Sequence, residues 1–184
     1  MARNEQCRKT WLARWKHLID YKFVFGSYTA LKEDEISFPV DDSYSGLPAK
    51  IQASHKWALE QGYDYILKTD CDIYLHVPRL LSSGFENFHY CGNHYYKESP
   101  YPFALGAAYW LDKNASEILC NEKAPYGIDG GDDMWVGRTM RDNAIPLHDE
   151  PRYYVGNTPN WNEVISVHST DLKMNMFDIQ EKCA

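Results

Sequence analysis

Between Pro48 and Thr69 the chain passes from a helix to a strand with only a short turn at Gly62, and that succession limits the architectures open to it. Pro48 suits a helix's first turn, where its fixed φ fits and its missing N–H would have no intrahelical partner. Ile51, Ser54, Ala58 and Leu59 fall on one helical face, and Gly62 marks the stop. Tyr63 to Thr69 then predicts a strand, and Tyr21 to Phe25, stopped by Gly26, predicts an earlier one. Strand, helix and strand in that order indicate an α/β sheet. Upstream, Trp11, Leu12, Trp15 and Leu18 recur at helical spacing, which predicts a helix from Asn4 to Leu18 with Asn4 as its cap. Residues 32–45 read as acidic and irregular. No repeat or linker-like run interrupts the 184 residues, so the expectation is one domain over 1–184.

Composition excludes several classes. A formal net charge of −7 opposes broad binding to nucleic acid, which depends on Lys and Arg neutralising phosphates. Residues 1–22 nevertheless hold six Lys/Arg against Glu5 and Asp20, which leaves room for a small basic patch. Cysteines at 7, 71, 91, 120 and 183 are odd in number and form no C-x-x-C pair. Neither a closed disulfide framework nor a zinc ribbon is indicated, and a reducing compartment fits. No run approaches the roughly 18 apolar residues of a membrane span, and the first residues lack a signal-peptide apolar core. The expectation is a soluble, cytoplasmic chain, in which Asn114-Ala115-Ser116 carries no weight as a glycosylation acceptor. Aromatic residues make up 15% of the chain, enough to furnish a cleft as well as a core.

The strand ending at Thr69 runs into Asp70-Cys71-Asp72. Two carboxylates one residue apart at a strand's C-terminal end, where open α/β sheets bind ligands, can converge on one Mn²⁺ or Mg²⁺ that holds a diphosphate. A surface turn would look similar. Phe103 to Asp112 predicts a further buried strand, with Gly106 to Ala108 small enough for a ligand to approach closely, and Asn114 would cap a short helix through Cys120. The segment Gly127-Ile-Asp-Gly-Gly-Asp132-Asp133 predicts a glycine-rich loop opening a helix with paired acids in its first turn. Acids there can be simple caps, or one can serve as a general base beside a cleft. Val164 to His168 reads as an apolar strand ending in an imidazole.

The order of these blocks resembles a family. Arg8-Lys9-Thr10-Trp11, the strand ending Phe25-Gly26, Asp42-Ser43-Tyr44-Ser45-Gly46-Leu47-Pro48-Ala49-Lys50, Lys68-Thr69-Asp70-Cys71-Asp72, Tyr101 to Leu111, Asp132-Asp133-Met134-Trp135-Val136-Gly137 and Val167-His168 follow the sequence of blocks in the β1,3-galactosyltransferase and Fringe-like glycosyltransferases. The resemblance covers most of the chain. It implies a compact, soluble relative with the GT-A nucleotide-diphospho-sugar transferase fold, a mixed sheet flanked by helices. It implies an inverting, metal-dependent enzyme that moves a sugar from a nucleotide-diphosphate donor, most simply a UDP-sugar, to an acceptor hydroxyl. Asp70, Asp72 and His168 would hold Mn²⁺ (or Mg²⁺), a donor set of hard carboxylates with one imidazole that suits manganese. Asp133 would deprotonate the acceptor, with Asp132 its alternate. Arg8, Lys50 and Asp70 would lie near the nucleotide or diphosphate, and Gly106 would leave room for the donor sugar. The acceptor could be a glycan, a protein side chain, a small molecule or, as a minor alternative, a modified base in DNA.

Two departures stand out. Cys71 replaces one of three consecutive acids common in the family, which removes a contact to the nucleotide, and Asp132 is one methylene shorter than the family's Glu. Asp133, at a helix start, is expected to be favoured in its ionised form by the helix dipole. Trp110, Trp135 and Trp161 are read mainly as core or cleft wall, with Trp135 the best placed to meet a sugar, and the histidines other than His168 as ordinary surface or cleft residues. Two other classes share parts of the pattern. A haloacid-dehalogenase-like phosphatase also ends a strand in Asp-x-Asp, but Tyr74 and the Ala124-Pro-Tyr-Gly run depart from its pattern. An inactive sugar- or nucleotide-binding module on the same fold would not need Asp70, Asp72 and Asp133 together.

Overall fold

The computed structural model describes residues 2–27, 31–94, 96–127, 131–154, 159–170 and 172–183. The expected N-terminal helix is broken into α1 (Arg3–Lys9) and α2 (Trp11–Trp15), with a 3-10 turn at Lys16–Leu18. The break falls at buried Thr10, whose ψ of −107° leaves the helical region and whose hydroxyl donates to the Gln6 carbonyl. Ala2 stands at the N-cap, and Asn4 lies inside the first turn, where its Oδ1 accepts from the Glu5 amide. Strand β1 (Phe23–Phe25) pairs in parallel with β2 (Glu35–Ser37), a strand within the stretch expected to be irregular. Helix α3 (Leu47–Glu60) carries Pro48 in its first turn and stops ahead of Gly62. There follow β3 (Tyr65–Thr69), β4 (Ile73–Leu75), α4 (Val77–Leu81), β5 (Tyr90–Gly92) and β6 (Ala108–Asp112). Only the second half of the expected 103–112 strand is regular. Asp112, not Asn114, caps α5 (Lys113–Asn121) by accepting from the Ala115 amide. Helix α6 (Gly131–Asp142) and strands β7 (His148–Asp149), β8 (Tyr153–Tyr154) and β9 (Ser166–His168) precede α7 (Met176–Lys182).

The protein is mixed α/β, and its strands form three small sheets among the described residues: β1-β2, β3-β6-β5-β7 and β4-β9-β8. β6 is the central element, antiparallel to both β3 and β5. Its alternation sends Tyr109 and Leu111 into a core shared with α3, α5 and α6, while Ala108 and Trp110 pack with Phe85, Tyr153 and Ile165 on the opposite side. A third core joins α1, α2 and α7 to β4 and β9 through Cys7, Leu12, Ile73, Val167 and Ile179. The chain crosses from the β3 sheet to the β4 sheet first through Asp70-Cys71-Asp72 and again, between β7 and β8, through residues 150–152. Among the described residues no helix is long and apolar enough to cross a membrane.

His55, expected at a surface or cleft, is buried between α3 and α5. Its Nδ1 lies 3.0 Å from the Ser116 hydroxyl, and its Nε2 has no hydrogen-bond partner. Burial pushes the imidazole down from 6.5 to about 4. The folded state therefore resists a proton that the unfolded chain accepts, so this contribution is complete above pH 6.5 and fades as pH falls toward 4. Between pH 7 and pH 5 the wild type is expected to lose about 2 kcal/mol through His55. Urea unfolding at the two pH values should show this loss, and it should be largely absent in His55→Leu.

Candidate active site

The Asp-x-Asp turn is fixed by the ladder that precedes it. The Thr69 hydroxyl and the Asp70 amide both donate to the Ala107 carbonyl, so β3 stays paired with the chain leading into β6 up to the turn. The Ile73 amide then donates back to the Asp70 carbonyl and starts β4. Because Ile73 pairs with His168 across the β4-β9 ladder, the imidazole arrives beside Asp72, its Nε2 3.6 Å from Asp72 Oδ1. Asp72 is nearly buried. Its Oδ2 accepts from Thr170 Oγ1 at 3.2 Å and lies 3.2 Å from the Arg3 guanidinium, while its carbonyl accepts from the Ser169 amide and hydroxyl.

Asp70 faces a different partner. Its Oδ1 accepts from Lys68 Nζ at 2.8 Å. Lys68 also donates to the Gly106 carbonyl and stands 3.7 Å from Asp132 Oδ2. Burial alone would favour the neutral amine, but Asp132 and Asp70 outweigh it and raise the Lys68 pKa. This ammonium went unrecognised as a site residue in the sequence. The available signal was a lysine two residues ahead of the Asp-x-Asp in a strand otherwise fit for burial.

The acid pair opens α6 as expected. Gly131 at φ +77° turns the chain into the helix, in a conformation that side chains rarely adopt. Residues 128–130 of the glycine-rich run lie outside the described residues. Asp132 is buried and its Oδ2 has no hydrogen-bond partner. Asp133 Oδ2 accepts from the Gly106 amide at 2.9 Å, and Oδ1 from the Met134 amide at 2.8 Å. The helix start does not leave Asp133 with a low pKa. Burial, reinforced by neighbouring Asp132, raises it above the ordinary 3.8 despite the two amide bonds and Lys68. Desolvation outweighs the dipole here.

A cavity of about 1070 Å³ joins these parts, and Asp70, Gly106, Asp132, Asp133 and His168 all line it together with Lys68. Asp72 reaches it through His168. Two of the expected residues lie elsewhere. Lys50 is paired with Asp42 at 2.7 Å. Arg8 is held by Asp34, Glu35 and Glu5, with its guanidinium over the Phe23 ring, and borders a separate cleft of about 410 Å³. Trp135 is buried in the core beside Val136, and Trp110 stacks on Phe85, so neither meets the cavity. Its aromatic walls are Tyr44, Tyr96 and Phe103.

Asp72 and His168 form a carboxylate–imidazole pair suited to Mn²⁺. Donors each roughly 2.1 Å from one cation lie at most about 4.2 Å apart, a limit that their 3.6 Å separation satisfies. Asp70 is turned to Lys68 instead, and no group of three His, Cys, Asp or Glu side chains gathers for a metal among the described residues. Comparison with protein-family models and with curated proteins finds no match for this chain.

Gly131 and Gly62 offer a controlled test of the site's packing. Both have positive φ, but a Cβ on Gly62 would meet open space, whereas one on Gly131 would stand 2.8 Å from the Tyr44 hydroxyl. Gly62→Ala should cost about 1–2 kcal/mol through backbone conformation alone. Gly131→Ala should cost more, because Tyr44 must also move. Calorimetric melting of the two variants should place Gly131→Ala several degrees lower, a shift of about 2–4 °C for each kcal/mol in a chain of this size.

Proposed function

We infer that this protein is a metal-dependent glycosyltransferase of the GT-A type, moving a sugar from a nucleotide-diphosphate donor, most simply a UDP-sugar, to an acceptor hydroxyl. One observation carries the reading: residues far apart in sequence, Asp70, Gly106, Asp132, Asp133 and His168, meet in one cavity, with Asp72 in contact with His168. A divalent cation bound by Asp72 and His168 would neutralise charge on the departing diphosphate. Asp72 is pre-oriented for that task by Thr170 and by the ladder that sets His168 beside it.

At the other end, Asp133 is the general base. Each of its oxygens takes one backbone amide, which fixes the carboxylate plane while lone pairs remain for the acceptor proton. Its raised pKa makes it a stronger base than an exposed aspartate. Asp132, buried against Lys68, supports its neighbour.

The cavity also bears on the acceptor. Asp70, Glu98, Asp132 and Asp133 line it, while Lys68 is paired with Asp70, and Lys97 with Asp149. These walls disfavour a polyanion such as DNA and favour a neutral hydroxylated acceptor that can pack on Tyr44, Tyr96 or Phe103.

The test is a panel of nucleotide sugars scored for Mn²⁺-dependent release of the nucleotide diphosphate. A phosphatase would instead release inorganic phosphate through a phospho-aspartate at Asp70, and a binding module would turn over nothing. Asp133→Asn should lower turnover about 10²–10⁴-fold while donor affinity changes only a few-fold, and Asp132→Asn should be milder. If Asp132→Asn is the more damaging, the base is Asp132. Turnover should also fall on the acid side as Asp133 gains its proton, beginning at a higher pH than an ordinary aspartate would give. That acid limb should disappear from the residual rate of Asp133→Asn.

A further inference from the structure

One buried charge has no task in the scheme above. The ammonium of Lys68 donates to Asp70 Oδ1 and to the Gly106 carbonyl, and it is the nearest cation to the unbonded Oδ2 of Asp132. Gly106 is held at both ends. Its carbonyl accepts from Lys68, and its amide donates to Asp133 Oδ2 at 2.9 Å. A Cβ at this position would stand 3.2 Å from Lys68 Nζ and 3.4 Å from Asp133 Oδ2, so the lysine and the base crowd the same glycine.

Gly106 lies in the irregular stretch ahead of β6, outside the β3-β6 ladder that ends at Thr69 and Ala108. Backbone bonds hold its neighbours, the Leu105 amide donating to the Asn93 carbonyl and the Asp70 amide to the Ala107 carbonyl, but Gly106's own carbonyl and amide meet side chains, and Lys68 is the restraint on the carbonyl. The geometry points to Lys68 as a positioning residue: by holding the Gly106 carbonyl it aims the Gly106 amide at Asp133 and so sets the direction of that carboxylate. This rests on Asp133 being the base. A carboxylate that turns away from the acceptor hydroxyl loses rate without losing either substrate, and displacements of about 1 Å can cost about 10²-fold.

Charge balance is the competing role, because an ammonium among buried carboxylates stabilises the fold whatever it does to Asp133. Lys68→Met alone would mix the two effects, since it strands Asp132 and Asp70 without a cation. The informative comparison is Lys68→Met/Asp132→Asn against Asp132→Asn. The double variant removes the ammonium and the buried charge of Asp132, leaves only half-exposed Asp70 without its cation, and keeps Asp133, Gly106 and the Asp72–His168 pair in place.

The double variant is expected to melt close to Asp132→Asn, yet to turn over about 10- to 100-fold more slowly, with donor affinity and acceptor KM within about threefold. In ¹⁵N-labelled protein the Gly106 amide proton, downfield while bonded to a carboxylate, is expected to move upfield when Lys68 is replaced. Equal turnover in the two variants, or an unmoved Gly106 amide, would overturn the positioning role. The amide resonance needs no catalysis, so it decides the role of Lys68 even if the donor panel shows no transfer and the functional reading itself fails.

Discussion

Lys68 is the charge on which the cavity depends. It lies on β3 opposite Tyr109 of the central strand, and its ammonium meets carboxylates from two elements that the sequence separates by more than 60 residues: Asp70 from the turn after β3 and Asp132 from the start of α6. Acids packed this closely in a half-enclosed cleft repel one another, and a buried cation among them offsets that repulsion. The same ammonium reaches the Gly106 carbonyl, so the Asp-x-Asp turn, the glycine and the acid pair share one electrostatic centre.

Around that centre the work divides between ladders and helix. The β4-β9 pairing brings His168 to Asp72, while α6 brings Asp133 to the Gly106 amide. His168, in contact with Asp72, and the desolvated Asp133 therefore line one cavity, the arrangement that the proposed transfer, with its departing anion and its proton transfer, requires. The N-terminal basic residues contribute less to any outward patch than their number suggests. Arg8 is consumed by Asp34, Glu35 and Glu5, and Arg3 by Asp72.

Local signals were legible in the sequence. Helix α3 between Pro48 and Gly62, strand β3 running into Asp70-Cys71-Asp72, the acid pair opening α6 and the strand ending at His168 all follow from spacing and from glycine or proline punctuation. Pairing was not legible, because β3 takes β6 as its partner some 40 residues on, and β1 takes β2, three residues inside an acidic run. Single side chains decided other points. Thr10 broke a helix whose apolar spacing was otherwise continuous, and Asp112 took the cap expected of Asn114. Arg8 and Lys50 were expected at the diphosphate, but nearby acids claim both. The Asp133 pKa could not be read from position in a helix, because it is raised by burial in the folded chain and by neighbouring Asp132.

The central claim is that the cavity binds a nucleoside diphosphate through a divalent cation at Asp72 and His168. Titration calorimetry with UDP tests it most directly, comparing Mn²⁺ with excess chelator in the wild type and in Asp72→Ala. Binding is expected in Mn²⁺ and is expected to vanish both with chelator and in the variant. Equal affinity with and without the metal, or an unaffected Asp72→Ala, would contradict it.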